Sequence, residues 1–315
     1  MRTALASCAA LVACLALLAG CGGGEKTTSA RTPPAAPLED LVLLSGNIPR
    51  VRAADFARPT AEYRRYVLTQ LGPMQGDVSR LRAALATGDL AAARGAWLAA
   101  DERYESIGAA YGAFGDLDAR INGGAGGLRG GVESTEFTGL HRIELALWGR
   151  RSTAEARPYA AALAADVAEL RRSVPTIAIE PLEYALRSHE VLEGTLDLQF
   201  SGRESPWSGS ALAALRANLR GTEVVLATLR GLIKRRSPIV LARIERSLSV
   251  LGRAVRQLES DDGSMPRWDR VSEPARTRIA GLTAAAAEQL AYVPEVIDPR
   301  RPLPRKSSLG SVTAE

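Results

Sequence analysis

Residues 60–87 read TAEYRRYVLTQLGPMQGDVSRLRAALAT, and the apolar side chains in this stretch keep a helical beat. Tyr63, Val67, Leu71, Val78, Leu81 and Leu85 recur at intervals of three, four or seven, so they fall on one side of an α-helix. Gly88-Asp89 supplies the stop, and Pro73 is placed to kink the helix. The same period returns along the chain. It predicts helices over about Leu90 to Tyr111, Thr138 to Trp148, Thr153 to Ser173, Glu180 to Phe200, Ala211 to Arg236, Ile239 to Ser260 and Pro274 to Tyr292. Aromatic residues make up only 5% of the chain and β-branched runs are short, which also favours helix. The expected fold is all-α. Seven or eight helices with short connections predict two packed antiparallel bundles sharing an interface. No repeat of solenoid length is evident.

The ends of the chain differ from this middle. Met1-Arg2-Thr3 precedes an apolar run from Ala4 to Leu18, too short to span a bilayer and of the length of a signal-peptide core. Leu18-Ala19-Gly20-Cys21 resembles a bacterial lipobox, which implies cleavage before Cys21 and lipidation of its thiol. The expected divisions are a lipoprotein signal peptide at 1–21, a flexible tether at 22–37, a helical domain at 38–297 and a disordered tail at 298–315. All three cysteines, Cys8, Cys14 and Cys21, lie in the first of these. The helical domain therefore has no disulfide, thiolate metal site or cysteine nucleophile.

The net charge is +5, but the arginines are scattered among Asp and Glu along the helices instead of clustering on one element, so no nucleic-acid partner is expected. The chain has two histidines, and each opens a helical carboxylate motif: His141-Arg142-Ile143-Glu144 and His189-Glu190-Val191-Leu192-Glu193. Residues three or four apart share a helix face, so each imidazole gains a carboxylate neighbour, a nitrogen and oxygen set that suits iron, zinc or copper. Further ligands for His141 and Glu144 must come from elsewhere. The nearest acids are Glu105, which stands beside Asp101 at the buried face of the preceding helix, and Asp116 or Asp118 beyond it. The glycine-rich stretch from Gly123 to Gly131 lets the His141 helix fold back along the Glu105 helix. A plainer alternative pairs Glu144 with Arg142 or Arg150. His189, Glu190 and Glu193 form a possible second site or a solvated face.

Hydrolytic chemistry lacks its parts. A zinc peptidase helix needs two histidines at His-Glu-x-x-His spacing, whereas His189-Glu190-Val191-Leu192-Glu193 has glutamate at the second position. Pro206-Trp207-Ser208-Gly209-Ser210 is not a nucleophile elbow. A peptidase is therefore the least favoured reading. A binding module for an anionic or carbohydrate ligand, using arginines and Trp207 between the bundles, is the alternative to metal handling.

Four ordered blocks carry a family resemblance. Phe114-Gly115-Asp116-Leu117-Asp118, the run from Phe137 through His141 and Glu144 to Leu147-Trp148, Ser188 to Glu193, and Ser205 to Ser210 resemble the imelysin-like family, most closely its EfeO/EfeM branch of iron-uptake lipoproteins. The resemblance implies an extracytoplasmic, all-α, two-bundle protein of iron uptake, which suits the lipobox; the family is filed among peptidases, but the two histidines here argue against enzymatic activity. Such a protein would present iron to a membrane permease of the EfeU type, often beside a haem peroxidase. The family's His-x-x-Glu metal motif matches His141 and Glu144, with Glu105 and Asp116 as supporting ligands and Asp118 the alternative to Asp116. Two departures stand out. No cupredoxin-like domain precedes the helices, as in the shorter EfeM type, and Asn122 followed by glycines replaces a charged segment found in many relatives.

Overall fold

The computed structural model describes residues 50–299. The expected signal peptide with Cys21, the tether and the tail from residue 300 onward lie outside the described residues. Within them the architecture is helical, with no strand.

Helix α1 (Ala57–Thr87) buries Tyr63, Val67, Leu71, Met74, Val78, Leu81 and Leu85, the predicted stripe with Met74 added. Gly88 takes a left-handed conformation (φ 77°) and its amide closes the helix end on the Ala84 and Leu85 carbonyls. Asp89 then caps α2 (Leu90–Glu105) by accepting the Ala92 amide at 2.9 Å, so a two-residue corner joins an antiparallel pair. The predicted extension of α2 to Tyr111 is broken. After Glu105 the chain passes through a 3₁₀ turn (Gly108–Ala110) and a single turn (Tyr111–Phe114), with the Tyr111 hydroxyl donating to the Tyr104 carbonyl at 2.8 Å. At the break the chain crosses a later helix closely: a Cβ at Gly221 would lie 2.2 Å from the Ser106 carbonyl oxygen.

A short helix α3 (Asp116–Asn122) and the irregular glycine segment lead to α4 (Gly139–Glu144). There follow α5 (Thr153–Ser173), α6 (Pro181–Gly194), α7 (Ala211–Arg236), α8 (Pro238–Arg256), α9 (Glu273–Leu290) and the short α10 (Tyr292–Ile297). Both α4 and α6 run directly into a π turn, Leu145–Gly149 and Thr195–Gln199 respectively. Hydrophobic period alone does not distinguish these turns from α-helix.

Helices α1, α2, α4 and α5 pack on one another, as do α6, α7, α8 and α9. The α7 helix lies against both α2 and α1, so the two expected bundles share an interface. Arg216 on α7 ties it, with Nη2 2.7 Å from Glu102 on α2 and Nη1 2.7 Å from Glu259. The buried apolar side chains of both bundles form one continuous core.

Candidate metal centre

Between the bundles, α2, α3, α4, α6, α7 and the α6–α7 connector enclose a cavity of about 490 Å³. His141, Glu105, Asp118, Glu190 and Glu204 are on its wall. The His141 helix is set by Trp97 of α2, whose indole Nε1 donates to the Leu140 carbonyl at 2.8 Å. At the start of α4, Gly139 adopts φ 71°, and a Cβ there would lie 2.3 Å from the Ile121 carbonyl oxygen, so only glycine lets α4 close on α3.

His141 is 2% exposed, and neither ring nitrogen has a hydrogen-bond partner. Nδ1 faces Glu144 Oε2 at 3.5 Å and Nε2 faces Glu204 Oε1 at 3.8 Å. Glu144 is fully buried. Its Oε1 accepts the backbone amides of Trp207 (3.1 Å) and Ser208 (2.7 Å), while its Oε2 is unpartnered. Glu144 thus pairs with neither Arg142 nor Arg150, which bind Glu155 and Glu133 instead. On α2, one turn apart, Asp101 and Glu105 are buried. Both oxygens of Asp101 lack a partner, whereas Glu105 Oε2 accepts from Asn218 Nδ2 at 2.9 Å.

Stranded charge shows in the ionisation of these groups. Burial, reinforced by Glu144 and Glu204 against the opposing pull of His141, pushes the Asp101 carboxyl up to about 8. Burial also raises Glu105 well above the usual carboxylate range, with Glu204 and Asp101 adding to it. For His141 burial alone would lower the imidazole, but Glu144 and Glu204 together outweigh it and raise it to about 10. Buried carboxylates without enough donors are costly, and a bound cation relieves that cost. The donor set, one imidazole with several carboxylates, fits iron, zinc or copper. Among the described residues no three of these side chains converge on one point as they stand. Closing the set requires rotation, for which Glu204, with its side chain 20% exposed, has more room than the buried Glu105 and Glu144.

Three of the four expected ligands, His141, Glu144 and Glu105, come together here. Asp116 does not. It is exposed in the first turn of α3 and off the cavity wall, whereas Asp118, two residues and about 200° further round the helix, lines the cavity and accepts the Tyr104 hydroxyl at 2.7 Å. The possible second group also separates. Glu190 joins the same cavity, but His189 is off its wall, with Nε2 3.9 Å from the exposed Glu193. Adjacent helical residues diverge by about 100°, which keeps His189 and Glu190 from acting together. Sequence reasoning missed Glu204 and Asn218. Glu204 immediately precedes the Ser205 to Ser210 block, and that block fastens the Glu144 carboxylate, so the signal was the block's purpose.

Comparison with known proteins agrees in extent with this domain. The family model described as Imelysin matches residues 59–293. The iron uptake system component EfeM of Pseudomonas syringae pv. syringae (strain B728a) is 25% identical over 236 residues, covering 75% of this chain and 83% of the relative. The iron uptake system component EfeO of Escherichia coli (strain K12), and that of Shigella flexneri, are 25% identical over 235 residues, 75% of this chain and 62% of each relative. The chain therefore spans less than two thirds of the EfeO relatives. Among the described residues no helix is long and apolar enough to cross a membrane.

Proposed function

Since this chain belongs to the imelysin family, we propose that it is a metal-binding component of an iron-uptake system, held outside the cytoplasmic membrane through a lipid on Cys21. His141 and Glu144 supply the first ligands, with Glu105, Asp118 and Glu204 completing the set. The observation that carries this reading is the His141 imidazole. It is buried, bonded through neither nitrogen, and faced on both sides by carboxylates at the wall of an acid-lined cavity. Iron is cargo here, not a catalyst, and the protein hands it to a membrane permease of the EfeU type, with a haem peroxidase as the other partner. Zinc and copper suit the same donors. The relatives' names, both iron uptake components, support the assignment.

Calorimetric titration of metal-free protein with Fe²⁺, Fe³⁺ and Zn²⁺ tests it. We expect one dominant site in the wild type and a loss of affinity above about a hundredfold in His141→Ala, more than outer-sphere substitutions usually cost. Unchanged affinity in that variant removes the assigned site.

A further inference from the structure

The cavity is larger than its proposed cargo. A water-sized occupant takes about 30 Å³, against about 490 Å³ here, a volume within the usual range for small-molecule sites. Nor is the lining uniformly acidic. Arg187 of α6 and Arg203 of the α6–α7 connector share it with the carboxylates. Beside carboxylates that attract a cation, the half-buried Arg187 and the exposed Arg203 add two positive charges that an anionic co-ligand answers.

Arg187 is incompletely satisfied. Its Nη1 is 3.4 Å from Glu190 Oε2, beyond a good hydrogen bond, and its Nε is buried without a partner. Gly112 leaves room beside it, since a Cβ there would come within 3.3 Å of Arg187 Nη2. Arg203 is fixed by its own loop, with Nε donating to the Asp197 carbonyl at 3.0 Å and Nη2 to the same oxygen. The planar fork of Arg187, with its Nε unpartnered, suits a carboxylate bound through paired N–H groups, while Arg203, its Nε and Nη2 spent on Asp197, adds charge beside it.

We propose that the cavity takes its metal ion together with a small polycarboxylate, received by Arg187 with Arg203 beside it, so that the substrate is a metal–carboxylate chelate and not the bare ion. The chelator's charge offsets the guanidinium groups and its bulk occupies the space that the ion leaves. Carbonate or phosphate would offer similar charge but would leave most of the volume to water. This inference rests on the metal-binding reading above.

Equilibrium dialysis of the full chain separates the two. Radiolabelled citrate is the probe, with and without Ga³⁺ as a redox-inert stand-in for ferric ion, and gallium is counted in parallel by mass spectrometry. Citrate should be retained with Ga³⁺ and at least about tenfold less without it. Arg187→Ala should lower retention of the label by roughly ten- to a hundredfold, the loss expected for a charge-assisted pair. Arg187→Lys, which keeps the charge but not the fork, should recover part of it. Gallium retained equally with and without citrate, and with no label beside it, overturns the chelate and leaves the metal site standing. Retention of neither overturns the chelate, and the metal reading falls with it when the Fe²⁺, Fe³⁺ and Zn²⁺ titrations also show no binding. Equal retention of label by Arg187→Ala overturns the role of that residue, and gallium retained with bicarbonate or phosphate but not with citrate overturns the carboxylate class.

Discussion

Glu144 accepts the Ser208 amide at 2.7 Å, and through this bond the connector bearing Glu204 is fastened to the helix bearing His141. Neither acid is placed by its own segment alone.

This dependence distinguishes two substitutions at one position. Gln in place of Glu144 retains an Oε1 that can accept from Trp207 and Ser208, so Glu144→Gln should fold within about 1 kcal/mol of wild type while losing metal affinity. Glu144→Ala leaves two amides unpaired and should cost roughly 2–4 kcal/mol. Thermal melts and metal titration of both variants check this. Full metal affinity in Glu144→Gln would show that the residue only ties the loop.

Loading should be strongly pH-dependent. Metal ligation needs neutral imidazole and ionised carboxylates, yet His141 is raised to about 10 and Glu105 well above the usual carboxylate range. Affinity should therefore keep rising with pH through the neutral range into the alkaline, and not level off above about pH 6 as an ordinary histidine would require. Titration at about pH 7.5 in buffers of different ionisation enthalpy should report release of roughly one to two protons per ion. No proton release would contradict the assignment.

Stability of the metal-free protein should respond in the same direction at two points. A raised carboxyl favours the folded state while protonated, so the contribution of Asp101 is fully present below its unfolded value of 3.8 and is lost as pH rises to about 8. The raised His141 contributes fully below 6.5, and that contribution is lost as pH rises through about 10. Asp101→Asn removes the first loss. Denaturant melts from about pH 4 to about pH 9 should show the variant gaining on wild type as pH rises, by roughly 1.4 kcal/mol for each pH unit over which the folded and unfolded carboxyls differ in protonation. A constant difference would mean that Asp101 is not titrating as its burial requires.

Gly139→Ala combines a positive φ with a collision against the Ile121 carbonyl, and neither can relax through a flexible side chain. It should destabilise the fold by at least about 3 kcal/mol, measured by urea melts, with metal affinity reduced in whatever protein folds.

How far the sequence could be read depended on which interactions repeat. Tyr63 through Leu85 announce α1 because core packing imposes a period, and the Gly88-Asp89 corner follows from local backbone chemistry. The seven residues of α3 are too few to show a period, and the break after Glu105 lies where Gly221 of a distant helix meets the Ser106 backbone. At the site, His141 and Glu144 were legible as a spacing on one helix. That Asp118 and not Asp116 lines the cavity follows from the rotation of α3, and the place of Glu204 from a hydrogen bond between its loop and Glu144. Those facts belong to tertiary structure and have no pattern along the chain.

The π turns after Glu144 and Gly194 each close through an amide five residues on, Arg150 to Leu145 at 2.9 Å and Phe200 to Thr195 at 3.0 Å. Such a turn is an α-helical turn with one residue inserted. Chain length therefore acts as an angular setting: deleting one residue from either turn would rotate everything beyond it by about 100°. Trp148, whose ring meets Trp97 edge-on at 5.1 Å, would swing off that contact, and Phe200 would leave its stack on Trp268. The segments that leave the two cavity-lining helices are thus phased by single residues, and the count of residues in each turn fixes where their aromatic anchors land.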